Sequence, residues 1–327
     1  MRLRRSTIAI FVFILLILTY GLAAGADYPT RPITMINPQS PGGSNDVIGR
    51  MFCSVAQKYL GQPVVMYNKA GGQGVTGTLM ARDAKPDGYT IMLNTGSRSG
   101  VQSLELAKGK EPPYRWDQFL PLGSITNTPS MFCVSYDSPW KRIGDFIKDA
   151  KANPKKFKWC SSGLYSGSHM PMALVIQSTG IDVLWTAYQG GGPCITAMIG
   201  KHFDFTTQFP STTSPLVQGK KMRWLATSGE KRLRLAPEVP TFKEEGIDAV
   251  YAMWIGFFMQ KKTPDPILKK LREVVYKVAH DKQFIDMLLS IKQEVDYMTA
   301  EEQMKFIVDE VDRFTKVIKS IEGSKAK

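Results

Sequence analysis

Cysteine is scarce in this 327-residue sequence: Cys53, Cys133, Cys160 and Cys194 are the whole set. None shares a Cys-x-x-Cys spacing and none has a histidine at a metal-ligand interval, which excludes a zinc site of the usual design. They read as buried thiols or as one disulfide of an oxidising compartment, with Cys133 and Cys160 the expected pair because both lie in apolar, strand-like segments. The basic residues lack the arrangement that nucleic acid demands. Net charge is +13, yet the densest clusters, Lys155-Lys156-Phe157-Lys158 and Lys231-Arg232-Leu233-Arg234, are short and far apart. They read as a solvated surface that attracts small acidic molecules over distance. No repeat or low-complexity tract occurs, and 43% apolar with 22% charged residues is a globular composition, long enough for two lobes.

Residues 1–26 have the pattern of an export signal. Arg2, Arg4 and Arg5 precede an unbroken apolar run over 8–18, and Ala24-Gly25-Ala26 closes it with small residues. Cleavage there leaves a chain beginning at Asp27 with a charge of +10, since the three arginines leave with the signal. The alternative is an uncleaved anchor, because 8–24 nearly spans a bilayer. No cysteine follows the run, which argues against lipid attachment.

From 28 to 94 the pattern alternates strand, glycine turn and helix, with strands at 33–36, 64–67 and 90–93 and helices at 47–60 and 76–84. That rhythm predicts a parallel sheet with helical crossovers, whose ligands sit at the carboxyl ends of the strands. A polar, proline-bearing stretch over 108–121 interrupts it. A second α/β series follows, with strands at 131–134, 158–160, 184–188, 202–206 and 223–227 and helices at 143–152, 170–179 and 194–200. The remainder from 266 is helical in pattern, its last helix opened by the capping box Thr299-Ala300-Glu301-Glu302.

Several motifs are incomplete. Gly72-Gln73-Gly74-Val75-Thr76-Gly77 has dinucleotide spacing, but the next strand closes with Leu93-Asn94-Thr95 and not with an acid. Ser138-Pro139-Trp140-Lys141 and Ser228-Gly229-Glu230-Lys231 fit S-x-x-K without the S-D-N or K-T-G elements that serine enzymes of that kind add. Gly163-Leu164-Tyr165-Ser166-Gly167 misses the nucleophile elbow by one residue. A secreted hydrolase using Ser162 or Ser166 with His169 is the enzymatic alternative. Two turns are complete as anion sites. Pro38-Gln39-Ser40-Pro41-Gly42-Gly43-Ser44-Asn45-Asp46 and Tyr188-Gln189-Gly190-Gly191-Gly192-Pro193 each lead from a strand through adjacent glycines into a helix, where free N–H groups and a positive dipole end favour carboxylate or phosphate. One turn in each half describes a cleft closing over an acidic solute.

With Tyr28-Pro29-Thr30-Arg31-Pro32-Ile33, Gly61-Gln62-Pro63-Val64-Val65, Pro86-Asp87-Gly88-Tyr89-Thr90, Leu225-Ala226-Thr227-Ser228 and Pro237-Glu238-Val239-Pro240-Thr241, these turns resemble the substrate-binding proteins of tripartite tricarboxylate transporters, the Bug receptors. The resemblance covers nearly the whole chain after residue 27. It implies an α/β periplasmic binding protein of type II, a two-lobed Venus flytrap with each lobe a mixed sheet flanked by helices. Lobe 1 is expected over 27–123 and 252–327 and lobe 2 over 124–251. It implies a monomeric receptor, neither enzyme nor cofactor protein and without a metal, that captures a small carboxylate and delivers it to integral membrane permease subunits; a sensor subunit is the variant reading. The pocket positions it implies are Gln39, Ser40, Gly42, Gly43, Asn45 and Asp46; Thr95 and Ser97; Ser162, Tyr165, Ser166 and His169; Tyr188, Gly190 and Gly191; and Asp204, at the end of its strand; Arg98, just past a pocket strand, is a further candidate read from the residue itself. Gln39 and Ser40 replace an aromatic residue and a proline usual in the family, and Tyr165 replaces a glycine. Arg98 either pairs with a carboxylate or points into solvent.

Overall fold

Short β-branched and aromatic runs separated by amphipathic helices build two sheets on one plan. The computed structural model describes residues 28–325, so the expected export signal lies outside the described residues. In lobe 1, β1 (Ile33–Asn37), β2 (Val64–Asn68) and β3 (Thr90–Thr95) run parallel, and β10 (Ala252–Gln260) and β4 (Phe119–Pro129) complete the order β2-β1-β3-β10-β4, with β10 antiparallel to both of its neighbours. Lobe 2 repeats the scheme: β6 (Lys158–Ser161), β7 (Leu184–Ala187) and β8 (Phe205–Gln208) are parallel, and β5 (Met131–Ser135) and β9 (Met222–Thr227) complete the order β7-β6-β8-β5-β9. The parallel strands hand over to helices at one end of each sheet. In lobe 1 these are α1 (Ser44–Leu60), α2 (Val75–Arg82) and α3 (Gly96–Ala107), and α4 (Ile143–Ala152), α5 (Met170–Thr179), α6 (Gly191–Ile199) and α7 (Pro210–Gln218) serve lobe 2. The chain then returns through β10 to α8 (Asp265–Ala279), α9 (Lys282–Ser290) and α10 (Ala300–Lys325) on lobe 1.

Each lobe has its own aromatic core. Phe52 of α1 packs on Phe257 of β10 with ring centroids 4.1 Å apart, and in lobe 2 Phe132 stacks on Phe205 at 5.0 Å. Such rings bury the large apolar area that holds a lobe together. Local signals fix the ends: Gly61 stops α1 in a left-handed cap, and Thr299 with Glu302 forms the expected capping box, the Thr299 N–H donating to Glu302 at 2.8 Å.

The lobes are joined at a buried knot of serines. The Ser130 N–H donates to Ser228 Oγ at 2.9 Å, and Ser228 Oγ donates to the Tyr251 carbonyl at 2.6 Å, so both crossing strands are tied to one residue. Strand β4 continues in the first sheet to Pro129, and the crossing therefore falls at Ser130 and not at the expected boundary of 123 and 124. The prolines at 121 and 129 make this segment look like a linker in sequence. As an edge strand, β4 tolerates them, because an edge strand has backbone positions that need not donate to a neighbour.

The disulfide also differs from expectation. It joins Cys160 to Cys194, whose Cα atoms are 5.8 Å apart, and leaves Cys53 and Cys133 as buried thiols. Cys133 on β5 is separated from Cys160 on β6 by the whole of β8, about 9 to 10 Å at normal strand spacing, beyond the reach of a disulfide.

Glu310, on α10, is the most thoroughly enclosed carboxyl group among the described residues of lobe 1. It accepts a hydrogen bond from Trp254 Nε1 at 2.9 Å, and burial raises its pKa from 4.5 to about 7, against the smaller opposing effects of Ser99, Trp254 and Arg313. A carboxyl with a raised folded-state pKa contributes stability at low pH that is lost as pH climbs toward that pKa. Stability is expected to fall by about 3 kcal/mol on this account between pH 4.5 and 7. Urea unfolding across that range should show the fall in the wild type and not in Glu310→Gln; parallel profiles would refute the assignment.

Candidate functional site

The helices that follow the parallel strands begin at the face where the lobes meet. From lobe 1, α1 and α3 bring their N-termini there, and α5, α6 and α7 do so from lobe 2. The contacts are direct. Ser40 donates to the Gln189 carbonyl through both its N–H, at 3.2 Å, and its hydroxyl, at 2.9 Å. Ser44 Oγ meets Ser211 Oγ at 2.6 Å, and the Gly167 N–H donates to Ser97 Oγ at 2.8 Å.

Glycines let the backbones come this close. A Cβ on Gly43 would lie 3.3 Å from the Gly191 nitrogen, and one on Gly192 would collide with the Pro41 carbonyl oxygen. A Cβ on Gly100 would likewise strike the Tyr165 carbonyl oxygen. Two cavities of about 430 Å³ each flank the contact, one lined by Pro41, Gly42, Gly192 and Pro193 and the other by Gln73, Gln189 and Glu105. A further cavity of about 530 Å³ lies between α3 and α10, lined by Trp116, Met304 and Ile307, and shares no residue with these turns.

Several expected residues converge here. Gln39 and Asn45 are buried, and Asn45 Nδ2 has no protein partner among the described residues. Thr95 caps α3, accepting from the Ser97 N–H at 3.3 Å. Ser162 Oγ is 3.0 Å from Ser166 Oγ and 2.7 Å from Ser168 Oγ, so three hydroxyls form a cage before α5. Gly190, with φ of +149°, makes the turn into α6, where Gly191 faces Gly43. Arg98, in the first turn of α3, is 1% exposed, and its Nε and Nη1 have no protein partner among the described residues.

Other expected residues have different duties. Asp46 turns its carboxylate to the Gly42 N–H, Asn68 and Arg50, all in lobe 1. Burial opposes its ionisation, but these donors outweigh burial and hold its pKa below the ordinary aspartate value. Tyr165 adopts φ of +52°, the left-handed region that suits the glycine usual there, and donates its hydroxyl to Glu322 of α10 at 2.6 Å. It is therefore a strap between lobes. Tyr188 packs its ring against Phe203, and His169 packs among Trp159, Trp185 and Tyr165.

Asp204 is a correction. It precedes β8, is exposed, and accepts from the Lys158 N–H at 2.7 Å at the opposite end of the sheet from the turns. The expected strand at 202–206 starts too early; pairing begins at Phe205, opposite Trp159, which moves the cleft end to Gln208. Gln208, Gln73 and Ser211 were missed. Gln208 is buried, and its Oε1 lies 3.0 Å from where a Gly191 Cβ would be. The signal available was position alone, the last residue of a parallel strand.

Two lobes linked by a pair of crossings, with helix N-termini and hydroxyls facing each other across a cleft, define a solute-binding receptor of the periplasmic binding-protein fold. The family model described as "Tripartite tricarboxylate transporter family receptor" matches residues 48–322, and the chain belongs to that family. A Cupriavidus necator protein of the gbd 5' region is 31% identical over 310 residues, covering 91% of this chain and 90% of its own. The periplasmic binding protein BugD is similar in structure, with a TM-score of 0.83 at 27% identity over 90% of this chain and 99% of its own. An R. palustris protein solved with adipate shares the fold, with a TM-score of 0.85 at 23% identity over 90% of this chain and 99% of its own. The family consists of periplasmic receptors and is not a family of enzymes.

Gly192→Ala is expected to obstruct closure while sparing each lobe, because the added methyl meets backbone that cannot move aside. Small-angle scattering should show a larger radius of gyration for this variant, with thermal stability close to that of the wild type; an unchanged radius would contradict the glycine contact.

Proposed function

We propose that this chain captures a small carboxylate between its lobes, leaves it chemically unchanged, and as a monomeric receptor delivers it to integral membrane permease subunits. The observation that carries the reading is the opposition of α1 and α6, whose N-termini meet across the cleft through Gly43 and Gly191. Each helix end bears about half a positive charge. Two such ends brought together repel one another, and an anion between them turns the repulsion into attraction. Asp46 compensates α1 only in part, because its carboxylate is shared with Arg50 and Asn68.

The remaining donors are chiefly neutral: the backbone N–H groups of the helix starts and the amide of Asn45. Several neutral donors satisfy a carboxylate in a buried site at less desolvation cost than a lysine or arginine drawn out of water for each oxygen. The adipate of the R. palustris neighbour belongs to that protein, and supports the reading because a carboxylate is accommodated there by the same fold. Absence of turnover is supported by the serine cage, in which Ser162 and Ser166 are engaged with each other and with Ser168.

A thermal-shift panel of carboxylic acids and neutral analogues tests the reading. An acid at a hundred times its dissociation constant should stabilise the protein by about 2.7 kcal/mol. A panel in which only neutral compounds raise the melting temperature would overturn the carboxylate assignment.

A further inference from the structure

We propose that Arg98 selects for negative charge in the cleft, through a guanidinium seated on Gly74 that pairs directly with the solute's carboxylate. This rests on the receptor reading above.

Among the described residues no carboxylate lies within ion-pairing distance of Arg98, although the side chain is 1% exposed and its Nε and Nη1 are without protein partners. The Tyr114 hydroxyl donates at 3.0 Å to the Arg98 carbonyl oxygen, which fixes the backbone and leaves the guanidinium uncompensated. A buried, unpaired cation is costly to a fold. Lobe 1 nevertheless makes room for it. Gly74 has φ of +89°, and a Cβ there would overlap Arg98 Nη1 and lie 2.8 Å from both Arg98 Cζ and the Pro38 carbonyl oxygen. The guanidinium thus rests beside the start of the residue 38–46 turn.

The same short glycine motif reaches lobe 2. Gln73, with φ of +55°, carries its amide to Gly163, where a Cβ would be 2.9 Å from Gln73 Oε1. Gly72-Gln73-Gly74 has dinucleotide spacing in the sequence, and in the fold it does two other things: Gly74 seats the arginine, and Gln73 crosses to the opposite lobe one residue away. Arg98 also lies in the first turn of α3, so its charge adds to a helix N-terminus. Held in low dielectric, a guanidinium discriminates strongly between a carboxylate and the neutral amide of the same shape.

The test compares wild type, Arg98→Met and Gly74→Ala by melting temperature alone and with malate, adipate, benzoate and adipamide. Arg98→Met is expected to melt higher than the wild type without solute, to lose about a hundredfold in carboxylate affinity, and to lose the preference for adipate over adipamide. Gly74→Ala should also weaken carboxylate binding, and should cost nothing further in the Arg98→Met background. Equal protection of wild type and Arg98→Met by acids would overturn the role of Arg98 and leave the receptor reading intact. A panel in which no acid protects the wild type would count against the receptor reading itself. In that case the solute-free comparison still decides the arginine, since a lower melting temperature for Arg98→Met marks a structural residue and overturns the proposal.

Discussion

The two lobes meet backbone to backbone, and most of the site depends on that contact. Gly42 and Gly43 lie against Gly191 and Gly192 without a side chain between them. Contact this close brings helix N-termini to the shared face, and N-termini are where unpaired N–H groups and positive potential reside. A single methyl in this plane would hold the helices apart and weaken every electrostatic interaction across the cleft. Adjacent glycines at the two strand-to-helix turns are therefore a requirement of the closed geometry.

Closure also needs the lobes to arrive in register, and the structure limits the ways they can approach. Ser228 ties the outgoing chain at Ser130 to the returning chain at Tyr251, which confines the freely bending segment to a few buried residues. Tyr165 then reaches from lobe 2 to Glu322 on α10, and Gly100 admits the Tyr165 carbonyl on the way. The disulfide serves the same end within lobe 2. Cys160 stands at the end of β6, just before the serine cage, and Cys194 stands in the first turn of α6, just after the glycine turn. Joining them fixes the two turns of that lobe that face lobe 1 relative to one another.

Much of this was legible in the sequence because it rests on local pattern. The glycine turns, the helices at 143–152 and 170–179 and the capping box at Thr299 depend on residues near one another in the chain, and their physical causes act locally. What was illegible depends on distant neighbours. Helix α3 begins with Gly96, Ser97, Ser99 and Gly100, poor helix formers whose conformation is held by the Thr95 cap and packing against α10. Asp204 was misplaced because a strand shifted by a few residues still shows apolar character while its two ends exchange roles. Cys194 was passed over because its partnership is decided by the order of strands, which sequence spacing does not encode. The burial of Arg98 likewise follows from Gly74 and Tyr114 closing around it, residues 24 and 16 positions away on either side.

A cation placed at such a contact changes the meaning of closure. An arginine enclosed by its own lobe, as Arg98 is by Gly74 and Tyr114, carries its desolvation cost whether the lobes are apart or together. When the lobes come together, α1, α3 and α6 bring their positive ends to the same volume. The closed conformation without an anion is then disfavoured by electrostatics, even though its backbone contacts fit. An anion reverses the sign of each of those interactions at once, so its affinity for the closed state exceeds that for the open state. That difference in affinity is what shifts a population between two conformations. Selectivity for charge and the tendency to close thus become one property. A neutral solute of the same shape can fill the space and still fail to hold the lobes together.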